Sequence, residues 1–298
     1  MYPKILSAML ALLLCAGCAA APESETATPP TGTSHSTNAD TTKPTSQVPT
    51  FQETVLVDNE AILFKIAAID NDPIWGYTLK AQIENKTDKD LMFALNDTSV
   101  NGYMCDPLFA VTVTAGMKAN KDISFSKDSF SQIGIVEVTD LEFTLHVYDS
   151  QDWNAESVLK QTFQLYPMGQ EASKEYPRKS QETDIVLFDD ANCTMIVTGF
   201  EPDSIWGYCV SVYLVNKTDR KLMFSVGDAA VNGYMCNPYF AQTVSPGKQR
   251  IASICWSTKE LEELGIVEVE SLTLPIRVYD ADNWLDGELI DETFTITP

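Results

Sequence analysis

The sequence predicts an all-β protein: two tandem β-sandwich domains behind a signal peptide and a disordered stalk. Three observations predict it: a long internal duplication, period-two alternation inside each copy, and turn signals every eight to twelve residues. Shifting the 298-residue chain by 131 positions lays Ile74-Trp75-Gly76-Tyr77 on Ile205-Trp206-Gly207-Tyr208. The same shift lays Asn85-Lys86-Thr87-Asp88 on Asn216-Lys217-Thr218-Asp219, and Val100-Asn101-Gly102-Tyr103-Met104-Cys105 on Val231-Asn232-Gly233-Tyr234-Met235-Cys236. Val147-Tyr148-Asp149 falls on Val278-Tyr279-Asp280, and the register runs from about residue 54 to Pro298 with roughly four positions in ten identical. Two copies in one chain act as a small alignment. What both keep serves the fold or a shared site, and what one keeps is local.

Residues 1–17 read as a lipoprotein signal peptide. Lys4 gives a positive start, and Ile5 to Leu14 is an apolar run of ten, short of the ~20 residues that span a bilayer. The run ends in Cys15-Ala16-Gly17-Cys18, which resembles the lipobox of bacterial lipoproteins, with Cys15 where Leu is usual. That resemblance implies that Cys18 becomes the N-terminus and carries a diacylglycerol, whose two chains anchor stably. Residues 18–50 are rich in Ser, Thr, Pro and Ala and hold almost no large apolar residue. Such a stretch cannot bury enough surface to offset its ordering entropy, so it reads as a disordered stalk.

Residues 51–167 form the first repeat, 168–184 a polar linker, and 185–298 the second repeat. In the first, Trp75, Tyr77, Leu79, Ala81 and Ile83 alternate with Gly76, Thr78, Lys80, Gln82 and Glu84, the pattern of a half-buried strand. Trp206, Tyr208, Val210, Val212 and Leu214 repeat it. Asn101-Gly102 and Asn232-Gly233 are two-residue hairpin signals. Leu141, Phe143, Leu145 and Val147 alternate again, and one short helix per copy is expected, near Ser126 to Ile133 and Thr258 to Leu264. This order of Gly-Tyr, apolar strand, Asn-Lys-Thr-Asp, strand, Asn-Gly, then Gly before Ile123-Ser124-Phe125 resembles immunoglobulin-like domains of unknown function on bacterial lipoproteins, mostly from Gram-positive bacteria. The resemblance implies an extracytoplasmic sandwich and transfers no catalytic residue.

The net charge of -22 argues against nucleic acid and anionic lipid surfaces as partners, since no basic patch occurs along the chain. Of seven cysteines, Cys105 and Cys236 hold equivalent positions and read as small buried hydrophobes. Cys193, Cys209 and Cys255 replace Ile62, Thr78 and Ser124. The first fits an inward position, while Cys209 and Cys255 fall on the solvent face of one sheet. If their strands are neighbours, a cross-strand disulfide can close in an oxidising compartment. No Cys/His spacing suits zinc.

Catalysis finds little support. His35 lies in the stalk and His146 becomes Arg277 in the other copy, so no Ser-His or Cys-His pairing survives the comparison, and neither an enzyme nor a cofactor is expected. Asp280, Asp282, Asp286 and Glu288 loosely resemble a calcium loop, but Trp284 stands where a ligand is needed. Copy one keeps only Asp149 and Trp153 of it, which fits a turn in which Asp caps amides and Trp packs over an edge. Trp75, Tyr77, Tyr103, Trp206, Tyr208 and Tyr234 admit two readings, a glycan- or peptide-binding surface or plugs at the sandwich ends. The expected function is that of a cell-surface protein, anchored by lipid at the extracytoplasmic face of the cell membrane. It would bind or space through its tandem sandwiches, with a protein or glycan ligand. The alternatives are an accessory structural lipoprotein of an envelope complex and a hydrolase with an unrecognised carboxylate site.

Overall fold

A computed structural model describes residues 51–72, 76–107 and 109–298. The signal, the stalk with Cys18, and Trp75 lie outside them. The first repeat runs β1 (Thr54–Asp58), β2 (Ile62–Asp72), β3 (Gly76–Asn85), β4 (Leu91–Val100), β5 (Tyr103–Met104), β6 (Ala110–Val113) and β7 (Lys118–Phe125). It continues with α1 (Lys127–Ile133), β8 (Leu141–Asp149) and β9 (Leu159–Leu165). The second repeats this order: β10 (Ile185–Asp189), β11 (Cys193–Ser204), β12 (Gly207–Asn216), β13 (Leu222–Val226), β14 (Ala230–Val231), β15 (Tyr234–Met235), β16 (Ala241–Val244), β17 (Gln249–Trp256), α2 (Thr258–Glu263), β18 (Leu272–Asp280) and β19 (Glu288–Ile296).

Each repeat is an all-β sandwich. One sheet has the order β1-β2-β3-β7 and its copy β10-β11-β12-β17. The facing sheet is built on β4 and β8 in the first repeat, and on β13 and β18 in the second. Alternation decides the inward faces. Phe64, Leu79, Phe93, Ile123 and Phe143 are fully buried in the first core, and Val210, Phe224, Trp256 and Ile276 in the second. Even the irregularities recur: the register of β1 against β2 shifts between Val55 and Val57, that of β10 against β11 between Val186 and Phe188. A bulge kept in both copies is a feature of the fold.

The shared motifs are mostly fold-making. Asn85 is buried; its amide donates to the carbonyls of Lys89 (2.7 Å) and Val113 (2.8 Å), and its oxygen accepts from the Thr87 amide and hydroxyl. Asn216 repeats every bond with Arg220, Val244 and Thr218. Asn101 and Gly102 both have positive φ, 50° and 82°, as the tight hairpin requires. The Asn101 side chain also reaches across to Glu137, Thr139 and Asp140, tying the hairpin to the segment after α1. Asn232 does the same with Glu268, Glu270 and Ser271.

The described residues belong to one compact unit. The repeats meet where β5 runs parallel to β17, with Tyr103 opposite Gln249. The 168–184 segment, expected as a plain polar linker, is built into this junction. The Tyr176 carbonyl accepts from Gln249 Nε2 at 3.1 Å, and Arg178 pairs with Asp184.

Candidate functional site

Cys209 on β12 lies directly opposite Cys255 on β17, and their sulfurs are bonded at 2.04 Å. Both point away from the core, as their alternation with Tyr208, Val210, Ile254 and Trp256 dictates. The expectation of an open solvent face needs correcting, because Cys209 is only 1 % exposed. Ser204, at the end of the long β11, lies over it, 3.5 Å from its sulfur. At the same register in the first repeat, Thr78 and Ser124 share a hydroxyl hydrogen bond of 3.2 Å.

This disulfide lies in the wall of an open groove of about 830 Å³ on the outer face of the second repeat, bordered by Gln132 of α1 and by Arg178. Its rim carries Ile205 and Trp206, 91 % and 72 % exposed, while Glu201, Arg178 and Ser211 give it polar groups. The Trp206 amide is held by Ser204 Oγ at 3.2 Å, and Ser211 donates to Glu201 at 2.7 Å. A rigid floor, a protruding indole and a carboxylate can together stack and hydrogen-bond a polar ligand.

The six aromatics do not form one surface. Tyr77, Tyr103 and Tyr208 are buried, which corrects the surface reading for these three; burial pushes all three phenols up. Tyr77 packs on Phe125 and Phe130, and Tyr208 on Trp256. Trp206 and Tyr234 are exposed, and Trp75 lies outside the described residues. Alternation could place Tyr77 and Tyr208 inside, but nothing local separates Tyr103 from Tyr234.

The acidic loop is a capped turn. Asp280 Oδ1 accepts from the amides of Asp282 (2.9 Å) and Asn283 (3.1 Å), while Oδ2 meets Arg220 at 3.4 Å. Arg220 also reaches Asp286 at 3.8 Å, and Glu288 pairs with Arg277. A guanidinium thus stands against the carboxylates named for calcium, and among the described residues no three acidic, Cys or His side chains cluster as a metal site. In the first copy Lys89 plays the part of Arg220; with the Gln151 amide it holds the Asp149 carboxyl below its usual range. The expected packing of Trp153 and Trp284 over an edge is wrong, since both are largely exposed.

One contact belongs to the first copy alone: His146 Nε2 lies 2.8 Å from Ser157 Oγ, where the second copy has Arg277 and Glu288. Ser157 lies in the connection from β8 to β9, which folds back beside His146. Burial, then Lys160, pushes this imidazole down, and its ring rests against Tyr148. Among the described residues no carboxylate hydrogen-bonds the ring to orient it, as a nucleophile-activating base requires. The free thiols Cys105, Cys193 and Cys236 are buried.

No family model and no curated protein matches this chain. Among solved structures, the YadV chaperone aligns over 74 % of this chain and 92 % of its own, at 10 % identity and TM-score 0.25. The exo-chitosanase CsxA of Amycolatopsis orientalis aligns over 78 % of this chain and 26 % of its own, at 12 % identity and TM-score 0.21. Similarity this low carries no argument about activity.

Proposed function

We propose that this protein is a lipid-anchored cell-surface binding protein, held through Cys18 on the 18–50 stalk, whose second repeat contacts a protein or glycan ligand. The observation that carries the reading is the groove beside Trp206. A large indole stands exposed at the β11–β12 turn, next to Glu201, and a disulfide fastens β12 to β17 beside it. Exposing an indole forgoes the stabilisation its burial would give, roughly 2–3 kcal/mol, so a ligand that covers it is a physical reason for its position. The Cys209–Cys255 bond suits an oxidising, extracytoplasmic compartment, in keeping with the lipobox.

The anchor is tested by detergent-phase partitioning and intact mass of the wild type against Cys18→Ser. Equal partitioning of the two removes it. The groove is tested by titrating envelope glycan fragments and envelope proteins into the Cys18→Ser chain while following tryptophan fluorescence, with Trp206→Ala as control. A ligand that binds both forms equally does not use this groove.

A further inference from the structure

The hairpin that joins the two repeats exists twice, and among the described residues only the first copy is covered. In the first repeat, Asn101-Gly102 presents β5, and its edge lies against β17: the Gln249 amide donates to the Gly102 carbonyl at 3.0 Å. Tyr103 and Met104 are each 4 % exposed, and Met104 packs with the core of the second repeat. Three ion pairs ring the contact: Asp97 with Lys221 (2.7 Å), Asp106 with Arg250 (2.9 Å) and Glu142 with Lys248 (3.0 Å). Every acid stands on the hairpin side and every base on the receiving side.

The second repeat builds the same hairpin. Asn232 and Gly233 have φ of 51° and 82°, and β15 pairs with β14 in the same register that β5 keeps with β4. Asp228, the equivalent of Asp97, shares its left-handed backbone. Yet β15 ends its sheet, and Tyr234 and Met235 are 54 % and 63 % exposed. We propose that β15 is a second docking edge. It takes the edge strand of a partner β-sandwich that places a lysine or arginine opposite Asp228, the one acid of the junction that recurs here, since Asn237 and Thr273 stand where Asp106 and Glu142 do.

The internal junction defines this partner. A strand edge supplies the backbone bonds, an apolar floor takes the Met, and lysine or arginine faces the aspartate. A second copy of this chain does not fit. Its β17 is already engaged, and its free β7 edge has Asp90, Met117, Lys118 and Ala119 where the receiving side has Lys221, Lys248, Gln249 and Arg250. Asp228 would meet Asp90, and the chain's net charge of -22 adds repulsion between copies.

That mismatch supplies the test. In the full chain carrying Cys18→Ser, Asp90→Lys, Met117→Lys, Lys118→Gln and Ala119→Arg rebuild the receiving edge on the first repeat. The expected result is a monomeric parent and a variant that associates head to tail. Its sedimentation mass should rise several-fold between ~1 and ~100 µM, as for a Kd on the order of 10 µM. Adding Tyr234→Asp should abolish the association. Because Asp90 Oδ1 accepts from the Ala115 amide, a second variant keeps Asp90 and reverses the hairpin charge instead, with Asp228→Lys beside the other three changes. It should associate equally. Folded variants that stay monomeric, or that associate regardless of Tyr234→Asp, overturn the proposal. So does a parent that dimerises through Tyr234, since the occupant would then be a second copy.

Discussion

The guanidinium of Arg178 grips the carboxylate of Asp184 through two hydrogen bonds of 2.6 Å and lies 5.5 Å from the centre of the Tyr213 ring. It thereby ties the segment between the repeats to the outer face of β12. Both charged side chains are mostly buried, so the pair has little water to compete with it. Arg178→Ala is expected to cost about 2 kcal/mol, the scale of hydrogen bonds between charged groups. Urea unfolding measures the loss, and faster proteolysis within 168–184 locates it. Unchanged proteolysis would show that the linker is held elsewhere.

The same pair contributes to the acid limb of stability. Arg178, then the Gln181 amide, holds the Asp184 carboxyl below its usual range. Its stabilisation is therefore present above about pH 4, where the unfolded carboxylate is charged, and is lost as pH falls through the lower folded value. The buried thiols act at the other end. Burial pushes Cys105 and Cys236 up to about 11 and Cys193 up to about 12. Their contribution is present below about pH 8.5 and lost as pH rises, because the unfolded thiols ionise first. In urea midpoints measured against pH, Asp184→Asn should make the acid limb shallower, Asp149 and Asp189 keeping the rest of it, and leave the alkaline one intact. Cys193→Val should make the alkaline limb shallower and leave the acid one intact.

Two glycines of the second repeat separate steric from conformational cost. Gly207 has φ of 100°, and an added Cβ would stand 2.1 Å from the Trp256 carbonyl oxygen. Gly233 has φ of 82° and nothing within 4 Å of that point. Gly233→Ala should cost about 1 kcal/mol of backbone strain alone. Gly207→Ala should cost about 3 kcal/mol or more, because β12 must also move off β17. Equal costs in thermal melts would mean that the strands part without penalty.

Much of the fold was legible because its determinants are local and written twice. The alternation from Tyr77 to Ile83 and from Tyr208 to Leu214 put the right side chains inward, and Asn101-Gly102 named a hairpin that the backbone angles bear out. What escaped is what depends on distant partners. Tyr103 and Tyr234 sit in the same local sequence, yet one is covered by β17 and the other by nothing among the described residues. His146 and Ser157 meet only because the connection after β8 turns back on it. Alternation gives Cys209 its face but not its exposure, since the covering Ser204 belongs to the far end of β11.

The first repeat shows what the disulfide of the second replaces. At one register of the sheet, Thr78 and Ser124 share a hydrogen bond where Cys209 and Cys255 share a covalent one. A hydroxyl pair contributes about 1 kcal/mol. A bond that closes a loop across a sequence separation of 46 stabilises by about 4 kcal/mol in the chain-entropy picture. Exchanging Cys209→Thr and Cys255→Ser together should therefore cost the second repeat about 3 kcal/mol, while leaving the β12–β17 pairing in place. The Trp206 rim sits on the turn that this bond steadies, so ligand affinity at the groove should fall along with stability. Reductant should reproduce both effects in the wild type and neither in the exchanged variant, which unfolding curves and Trp206 fluorescence read in parallel. A wild type whose stability ignores reductant would mean that the pairing of β12 and β17, not the disulfide, holds the hairpin.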